Sequence, residues 1–213
     1  MSELKTEEEQ IEAFKTWWKK NGTSLVLAVS VGVAGYFGFQ AWQQNQENHL
    51  AEASSLFESM SQAATDLSEE KNLKTVSFIA DQLVNDFDDT GYATFAHLFQ
   101  AKVDVVAEDY DAAIDTLNEA KASTDDVTLK AISDLRISKV LVHQGKLDKA
   151  LTQLAMINLT EFDSLKLELK GDVLLAQGKT EEARASYQAA LSAQTPQVQN
   201  PLLDIKLQDL VES

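Results

Sequence analysis

The sequence predicts an all-α protein, in which a single N-terminal transmembrane helix is followed by a solenoid of antiparallel helix hairpins. Three observations support this fold class: an uncharged apolar run near the N-terminus, apolar residues spaced three and four apart beyond it, and a motif that recurs at the interval of a helix hairpin. Only two Pro and eight Gly occur among the 213 residues, so few positions interrupt long helices.

The apolar run, residues 23–42, reads TSLVLAVSVGVAGYFGFQAW and has about the length that a helix needs to cross a bilayer core. No charged residue lies between Lys20 and Glu47. A run this long argues against the core helix of a soluble protein. A cleaved signal peptide would end its apolar region at a small-x-small site, but Phe39 and Gln40 occupy the place where that site would lie. We therefore predict an uncleaved membrane anchor.

Residues at the two ends of the span predict how it sits in the membrane. Trp17 and Trp18 precede the run and Trp42 closes it, and indole rings favour the two interfaces, where they contact membrane lipid. Basic residues remain cytoplasmic, and those near the span all precede it: Lys15, Lys19 and Lys20. We therefore expect a single-pass protein with a cytoplasmic N-terminus. Residues 43–213 would then lie on the exoplasmic side, which is the periplasm in a Gram-negative bacterium.

Residues 1–22 are predicted to form a cytoplasmic amphipathic arm. Thr6 and Glu9 have the spacing of a capping box, which pairs free N–H groups at the start of a helix. Four apolar residues follow at helical spacing: Ile11, Phe14, Trp17 and Trp18. We predict that Asn21-Gly22 ends this helix, which would then lie on the inner membrane surface. A recognition element for a cytoplasmic protein is the alternative interpretation.

Residues 43–90 are predicted to form a leading helix pair. Its two helices carry apolar stripes at three- and four-residue spacing, the first at Leu50, Ala53, Phe57, Met60, Ala64 and Leu67, and the second at Leu73, Val76, Ala80, Leu83 and Phe87. No Gly or Pro separates the first stripe from the span, so the two are predicted to be continuous. The sequence Asp-Asp-Thr-Gly at residues 88–91 predicts a turn.

Residues 91–195 contain an internal repeat. A turn residue, two variable positions, an acid, one further position and Ala recur at residues 108–113, 145–150 and 178–183. The Ala residues are 37 and 33 positions apart, which brackets the period of about 34 residues in tetratricopeptide repeats. Gly ends a first helix, the acid favours the N-terminus of a second, and Ala lets the two pack closely. We predict three divergent repeats, of which the first has Glu108 in place of the turn Gly.

Other positions agree with this register. Large-then-small pairs follow each motif: Leu117 with Ala120, Leu154 with Ile157, and Tyr187 with Ala190. A small residue precedes each motif, in the first helix of the repeat: Ala101, Ser138 and Gly171. Residues 200–213 are predicted to form a capping helix, with Asn200 as N-cap and Pro201 at the first helical position. Its apolar residues would cover the open end of the solenoid: Leu202, Ile205 and Leu210.

Composition and motifs argue against catalysis and against nucleic-acid binding. The formal net charge of −16 repels polyanions such as nucleic acid, and the chain has no Cys. His49, His97 and His143 lack the paired spacing of a metal site. Phosphate-binding loops and nucleophile elbows are absent. We predict a non-enzymatic protein with no cofactor. Its charge would keep the domain soluble or, alternatively, attract basic partner segments.

Stacked first helices of a repeat array line a concave surface that can hold a peptide. The register of the motifs predicts that this protein-binding groove contains Leu98, Lys102, Val105, Lys139, Val142, His143, Glu168 and Asp172. The alternative is that these side chains only cover the helix pairs and bind no ligand.

The basic, Trp-rich arm before one span, the Gln-rich exit from it and the divergent repeats resemble the YfgM type of ancillary subunit of the bacterial SecYEG translocon. The resemblance implies an inner-membrane protein that associates with SecYEG and with the membrane-anchored, foldase-like chaperone PpiD. It implies a role in passing emerging, unfolded secretory polypeptides to periplasmic chaperones. It further implies control of a stress-response regulator through the cytoplasmic arm.

Two other classes of function remain compatible with the same layout. One is a scaffold for envelope assembly or division that does not contact the translocon. The other is a stress-signalling regulator, in which the repeats act as the sensor and the cytoplasmic arm as the effector on a response regulator.

Overall fold

The computed structural model of the protein describes residues 7–194 and 200–212, which are predominantly helical and contain no strand. The α-helices are α1 (Glu7–Ala63), α2 (Glu70–Asp86), α3 (Gly91–Val106), α4 (Tyr110–Ala122), α5 (Val127–His143), α6 (Leu147–Leu154), α7 (Asp163–Ala176), α8 (Thr180–Ser192) and α9 (Leu202–Glu212). A short 3-10 helix, Thr160–Phe162, precedes α7. The chain divides into two compact units, one up to Ala51 and one from Glu52. The predicted all-α class is confirmed.

In the first unit, α1 passes without a break from the arm into the apolar run. The prediction that Asn21-Gly22 ends a separate surface helix is therefore wrong. Asn21 Nδ2 donates a hydrogen bond to the backbone oxygen of Trp17, 3.1 Å away. Gly22 lies under the Trp18 indole, because a Cβ at this position would come within 3.0 Å of Cε2. A helical Gly costs only about 1 kcal/mol relative to Ala, so it need not end a helix. The predicted capping box includes Thr6, which lies outside the described residues.

The apolar run of α1 is exposed along its length. Within residues 7–194 and 200–212, α1 alone is long and apolar enough to cross a membrane, and 6% of its most apolar window is buried. The three predicted interface residues are also exposed: Trp17, Trp18 and Trp42. Phe14 stacks on the first two with ring centroids 6.3 and 6.1 Å apart, and Phe39 lies 5.8 Å from Trp42. Such a continuous apolar surface is typical of a helix that contacts lipid.

In the second unit, each helix from α2 to α9 packs against the next one along the chain. The short connections at Glu108, Gly145 and Gly178 make the two helices of each repeat antiparallel. The first core joins the end of α1 to α2 through Ala53, Met60, Val76 and Leu83, all fully buried. Leu50 was predicted in the same stripe but is exposed, because the buried face begins at Ala53.

The three repeat turns have the same backbone geometry. Glu108, Gly145 and Gly178 have φ angles of 59°, 71° and 76°, in the left-handed region that follows many helix C-termini. The N–H groups that follow Gly145 and Gly178, those of Lys146 and Lys179, bond to carbonyls five residues back at 2.9 Å. In the first turn, the Asp109 N–H donates the equivalent bond to the Asp104 carbonyl, also at 2.9 Å. Three similar Schellman-type ends explain the sequence motif, including the position where Glu replaces Gly.

Each hairpin joins a small residue of its first helix to a larger residue of its second. Two such pairs are Ala101 with Leu117, which share one core cluster, and Gly171 with Tyr187. Ser138 and Leu154 hold the corresponding positions in the second repeat, and both are buried. A Cβ on Gly171 would come within 2.5 Å of Tyr187 Cδ1, so the ring occupies the space of the missing side chain. In the third repeat, the smallest residue therefore makes room for the largest partner.

The C-terminal helix α9 begins after Asn200, whose Oδ1 accepts a hydrogen bond from the Leu202 N–H at 3.0 Å. Leu203 is 0% exposed and packs with Leu210 against the third repeat. Leu202 and Ile205, predicted to cover the end of the solenoid, are 60% and 51% exposed. That part of the prediction is wrong. A second set of apolar residues, Leu203, Leu207 and Leu210, also has helical spacing, and this set packs against the third repeat.

Candidate protein-binding groove

The first helices of the first two repeats, α3 and α5, lie on either side of a cavity of about 340 Å³. Nine residues line it: Leu98, Ala101, Lys102, Val105, Leu117, Arg136, Lys139, Val140 and His143. Five of them were predicted from the repeat register, Leu98, Lys102, Val105, Lys139 and His143. The cavity lies at the lower end of the volume range of small ligand sites, about 300–1,000 Å³.

The wall of this cavity combines an apolar floor with positive charge. Leu98, Ala101, Val105, Leu117 and Val140 supply the apolar surface. Lys102, Arg136 and Lys139 supply the cationic groups, and no carboxylate is among the nine lining residues. The arrangement can bury an apolar side chain while the cations contact polar or anionic groups beside it.

The three cations are held differently. Lys102 Nζ donates to the backbone oxygen of Ala64 at 3.0 Å, and Arg136 Nη1 donates to that of Leu98 at 3.0 Å. Burial lowers the pKa of Arg136, but an arginine remains protonated in proteins. Lys139 is exposed and makes no hydrogen bond or ion pair with any described residue. Of the three, Lys139 is therefore the cation that is fully available to a ligand.

His143 and Val142 end α5 but lie in different surroundings. The His143 ring stacks on Tyr110 with centroids 6.1 Å apart and an interplanar angle of 4°. His143 thus lines the cavity while its ring is held against Tyr110. Val142 was predicted in the groove, but it is half-buried and packs against two core clusters, one shared by the first and second repeats and one shared by the second and third.

Sequence reasoning missed four lining residues: Ala101, Leu117, Arg136 and Val140. Arg136 precedes Lys139 by three positions, a spacing that places two residues on one helix face. That spacing could have identified Arg136. Leu117 belongs to a second helix, and the motif register assigns such residues to hairpin packing.

The other two predicted groove residues, Glu168 and Asp172 of α7, contact α9 instead of lining the open cavity. Lys206 Nζ lies 2.8 Å from Glu168 Oε1 and 2.7 Å from Asp172 Oδ1. Asn200 Nδ2 donates to Glu168 Oε2 at 2.8 Å, and the Tyr187 hydroxyl donates to Asp172 Oδ1 at 2.7 Å. These bonds attach the C-terminal helix to the third repeat.

This cluster predicts that stability falls at alkaline pH. Burial raises the pKa of Tyr187, and the adjacent Asp172 raises it further. Burial alone would lower the pKa of Lys206, but bonds to Asp172 and Glu168 raise it overall. Above their ordinary pKa values of 10.0 and 10.5, both groups lose a proton in the unfolded chain while the folded chain retains it. Stability should therefore fall as the pH rises past about 10.

Thermal unfolding of the full chain in mild detergent, followed by circular dichroism between pH 8 and 11, measures this effect. The decrease should be smaller in Tyr187→Phe and in Lys206→Met than in the parent chain, because each variant removes one titrating group. Lys170→Met changes an exposed lysine outside the cluster and serves as the control. Parallel pH profiles for all four proteins would contradict the assignment.

The histidines and acids do not assemble a metal site within the described part of the chain. His97 Nδ1 lies 3.5 Å from Glu119 Oε2, and burial lowers the His97 pKa although Glu119 opposes that effect. A half-buried imidazole beside one exposed carboxylate is a packing contact between α3 and α4. It lacks the third ligand that a metal centre requires.

The chain matches the family described as tetratricopeptide repeat-like domain over residues 15–212. It is 32% identical over 204 residues to a Haemophilus influenzae protein named ancillary SecYEG translocon subunit, covering 96% of this chain and 97% of that protein. Proteins of the same name from Aggregatibacter actinomycetemcomitans and Escherichia coli are 31% and 27% identical, over 96% and 99% of this chain and 97% and 99% of theirs. The groove, the hairpins and the apolar N-terminal helix thus belong to a member of the tetratricopeptide repeat-like family that includes the ancillary SecYEG translocon subunits.

Proposed function

We propose that this protein is a non-catalytic, membrane-anchored subunit that associates with the SecYEG translocon and binds polypeptides through its repeats. The similarity over 96% of the chain to proteins named ancillary SecYEG translocon subunit carries the proposal. The apolar stretch of α1 and the cavity between α3 and α5 supply its two physical requirements, attachment to a membrane and a surface for a polypeptide.

The proposed topology is a single pass through the bacterial inner membrane. Residues 23–42 form the span, Trp17, Trp18 and Trp42 lie at the two interfaces, and residues 1–22 remain in the cytoplasm. The basic residues that precede the span support this orientation, because cytoplasmic flanks are enriched in Lys and Arg. The repeats then lie in the periplasm, where polypeptides leave the translocon.

Within this topology, the protein passes emerging, unfolded secretory polypeptides to periplasmic chaperones such as PpiD. Tethering supports such a role, because a groove held near the translocon exit meets each polypeptide at a high effective concentration. Weak contacts then suffice for transient binding and release. The cavity, open to solvent and lined by apolar and cationic side chains, is suited to such contacts.

Co-purification tests this proposal. The tagged full chain, extracted from membranes of its own bacterium in mild detergent, should retain SecYEG subunits and a PpiD-type chaperone. A tagged chain in which an unrelated span replaces residues 23–42 shows whether the sequence of the anchor contributes to the association or whether tethering is sufficient.

The composition of the purified complex decides between this function and its alternatives. Recovery of envelope-assembly or division proteins without translocon subunits would instead indicate a scaffold. Recovery of a cytoplasmic response regulator as the main partner, dependent on residues 1–22, would indicate a stress-signalling role. Either result would overturn the translocon proposal.

A further inference from the structure

We infer that the cavity between α3 and α5 selects acidic, apolar segments of polypeptides, with an apolar side chain on its floor and carboxylates beside Lys102, Arg136 and Lys139. The inference rests on the proposed polypeptide-binding function and adds the chemistry of the segment. It also opposes the expectation from net charge alone, which would favour basic partners.

The charge of the cavity is opposite to that of the chain. The sequence contains 34 acidic and 18 basic residues, so a typical patch of its surface should be acidic. The nine lining residues include two lysines and one arginine but no Asp or Glu. The cations are therefore concentrated at one place, and a ligand that complements them carries negative charge.

In the third repeat, the residue directly after the small residue of the hairpin is charged and forms an ion pair. Lys102, Lys139 and Asp172 each directly follow the small residue of their hairpin, so they occupy equivalent positions in the three repeats. In the third repeat the charge is reversed, and Asp172 forms an ion pair with Lys206 of the neighbouring helix α9, at 2.7 Å. No described residue supplies the matching carboxylate to Lys139. Lys139 is exposed and therefore remains available to pair with a carboxylate from a ligand.

The apolar floor and the net charge favour a polypeptide over other anions. Leu98, Val105 and Val140 offer no donor to a phosphate or a sugar, but they can bury an aliphatic or aromatic side chain. A bilayer of anionic lipid or a nucleic acid would also bring many negative charges close to a protein of net charge −16, which repels them. A peptide with two or three carboxylates around an apolar residue can contact both the apolar floor and the cations. It carries too few charges to be repelled strongly by the rest of the protein.

Fluorescence anisotropy with labelled peptides tests the inference on the full chain in mild detergent. The probe is a short fluorescein-labelled peptide of Glu, Leu and Ser. Two matched peptides replace its Glu by Lys or its Leu by Ser. We expect the acidic, apolar peptide to bind most tightly and to weaken as salt is added, because its carboxylates contact partly exposed cations.

Two charge-reversal variants localise the binding. Lys139→Glu should weaken the acidic, apolar peptide by about fivefold, since an attraction between exposed charges is replaced by a repulsion of similar size. Lys170→Glu makes the same charge change on α7 at an exposed residue outside the cavity and should bind as the parent does. Circular dichroism of both variants should match the parent, because neither lysine has a partner among the described residues.

Three results would overturn the inference: tighter binding of the basic, apolar peptide, absence of binding by every peptide, or equal weakening by Lys139→Glu and Lys170→Glu. Tighter binding of the basic peptide, with translocon subunits still co-purifying, would leave the proposed function intact while rejecting the acidic class. Loss of the translocon from the purified complex would reject the proposed function, whatever the peptides show.

Discussion

Gly171→Ala is expected to lower the free energy of unfolding of the repeat domain by about 2–3 kcal/mol, the upper part of the range of about 1–3 kcal/mol for overpacking a core. The new Cβ would overlap the ring of Tyr187, which is 1% exposed and whose hydroxyl is bonded to Asp172. The ring therefore has little room to move. Thermal unfolding followed by circular dichroism should show a decrease in Tm of about 8 °C.

Two further variants make this prediction specific. Gly91→Ala adds a Cβ where no atom lies within 4 Å, so its Tm should remain close to that of the parent. Tyr187→Leu combined with Gly171→Ala recreates the Ala–Leu pair of the first repeat, Ala101 with Leu117. The double variant should be less destabilised than the sum of the two single changes. Equal Tm values for Gly171→Ala and Gly91→Ala would contradict the packing of α7 against α8.

Val33→Arg is expected to prevent most of the chain from entering the membrane. Val33 lies near the middle of residues 23–42, and an arginine there costs about 2.5–3.5 kcal/mol, roughly a hundredfold shift in the insertion equilibrium. Protease added to spheroplasts should digest the repeats of the parent chain and leave a small membrane-bound fragment. In the variant, most of the chain should remain intact in the cytoplasm.

Leu50→Arg provides the matched control, because Leu50 is exposed on the same helix beyond the predicted span. This variant should be digested as the parent is. Full protection of the parent chain in intact spheroplasts would show that the proposed orientation is wrong. Digestion of Val33→Arg to the same extent as the parent would show that residues 23–42 are not the span.

The groove illustrates how much of a site a repeat register can predict. The register of the turn motifs predicts Lys102 and Lys139, because a hairpin packs residues that are close in sequence. Arg136 bonds to the carbonyl of Leu98, 38 positions earlier. That contact depends on how two hairpins stack, which no local spacing encodes. The placement of Asp172 against Lys206, across 34 positions, has the same origin.

In the N-terminal helix, a local sequence pattern predicts a helix end that the structure does not contain. Asn21-Gly22 has the composition of a helix end, but Gly22 accommodates the Trp18 ring and α1 continues. A helix end requires the loss of further backbone hydrogen bonds. Helix α1 retains them on both sides of Gly22, and the cost of one helical Gly is only about 1 kcal/mol.

The sequence by itself determined the all-α class, the apolar N-terminal helix, the three turns at Glu108, Gly145 and Gly178, and the hairpin register. Each of these depends on residues within a few helical turns of one another. Only the tertiary structure decided which face of α9 is buried, Leu203 in place of Leu202, and which cations share one cavity. These outcomes depend on stacking between hairpins, where a rotation of one residue about a helix axis changes the buried face while leaving the apolar periodicity unchanged.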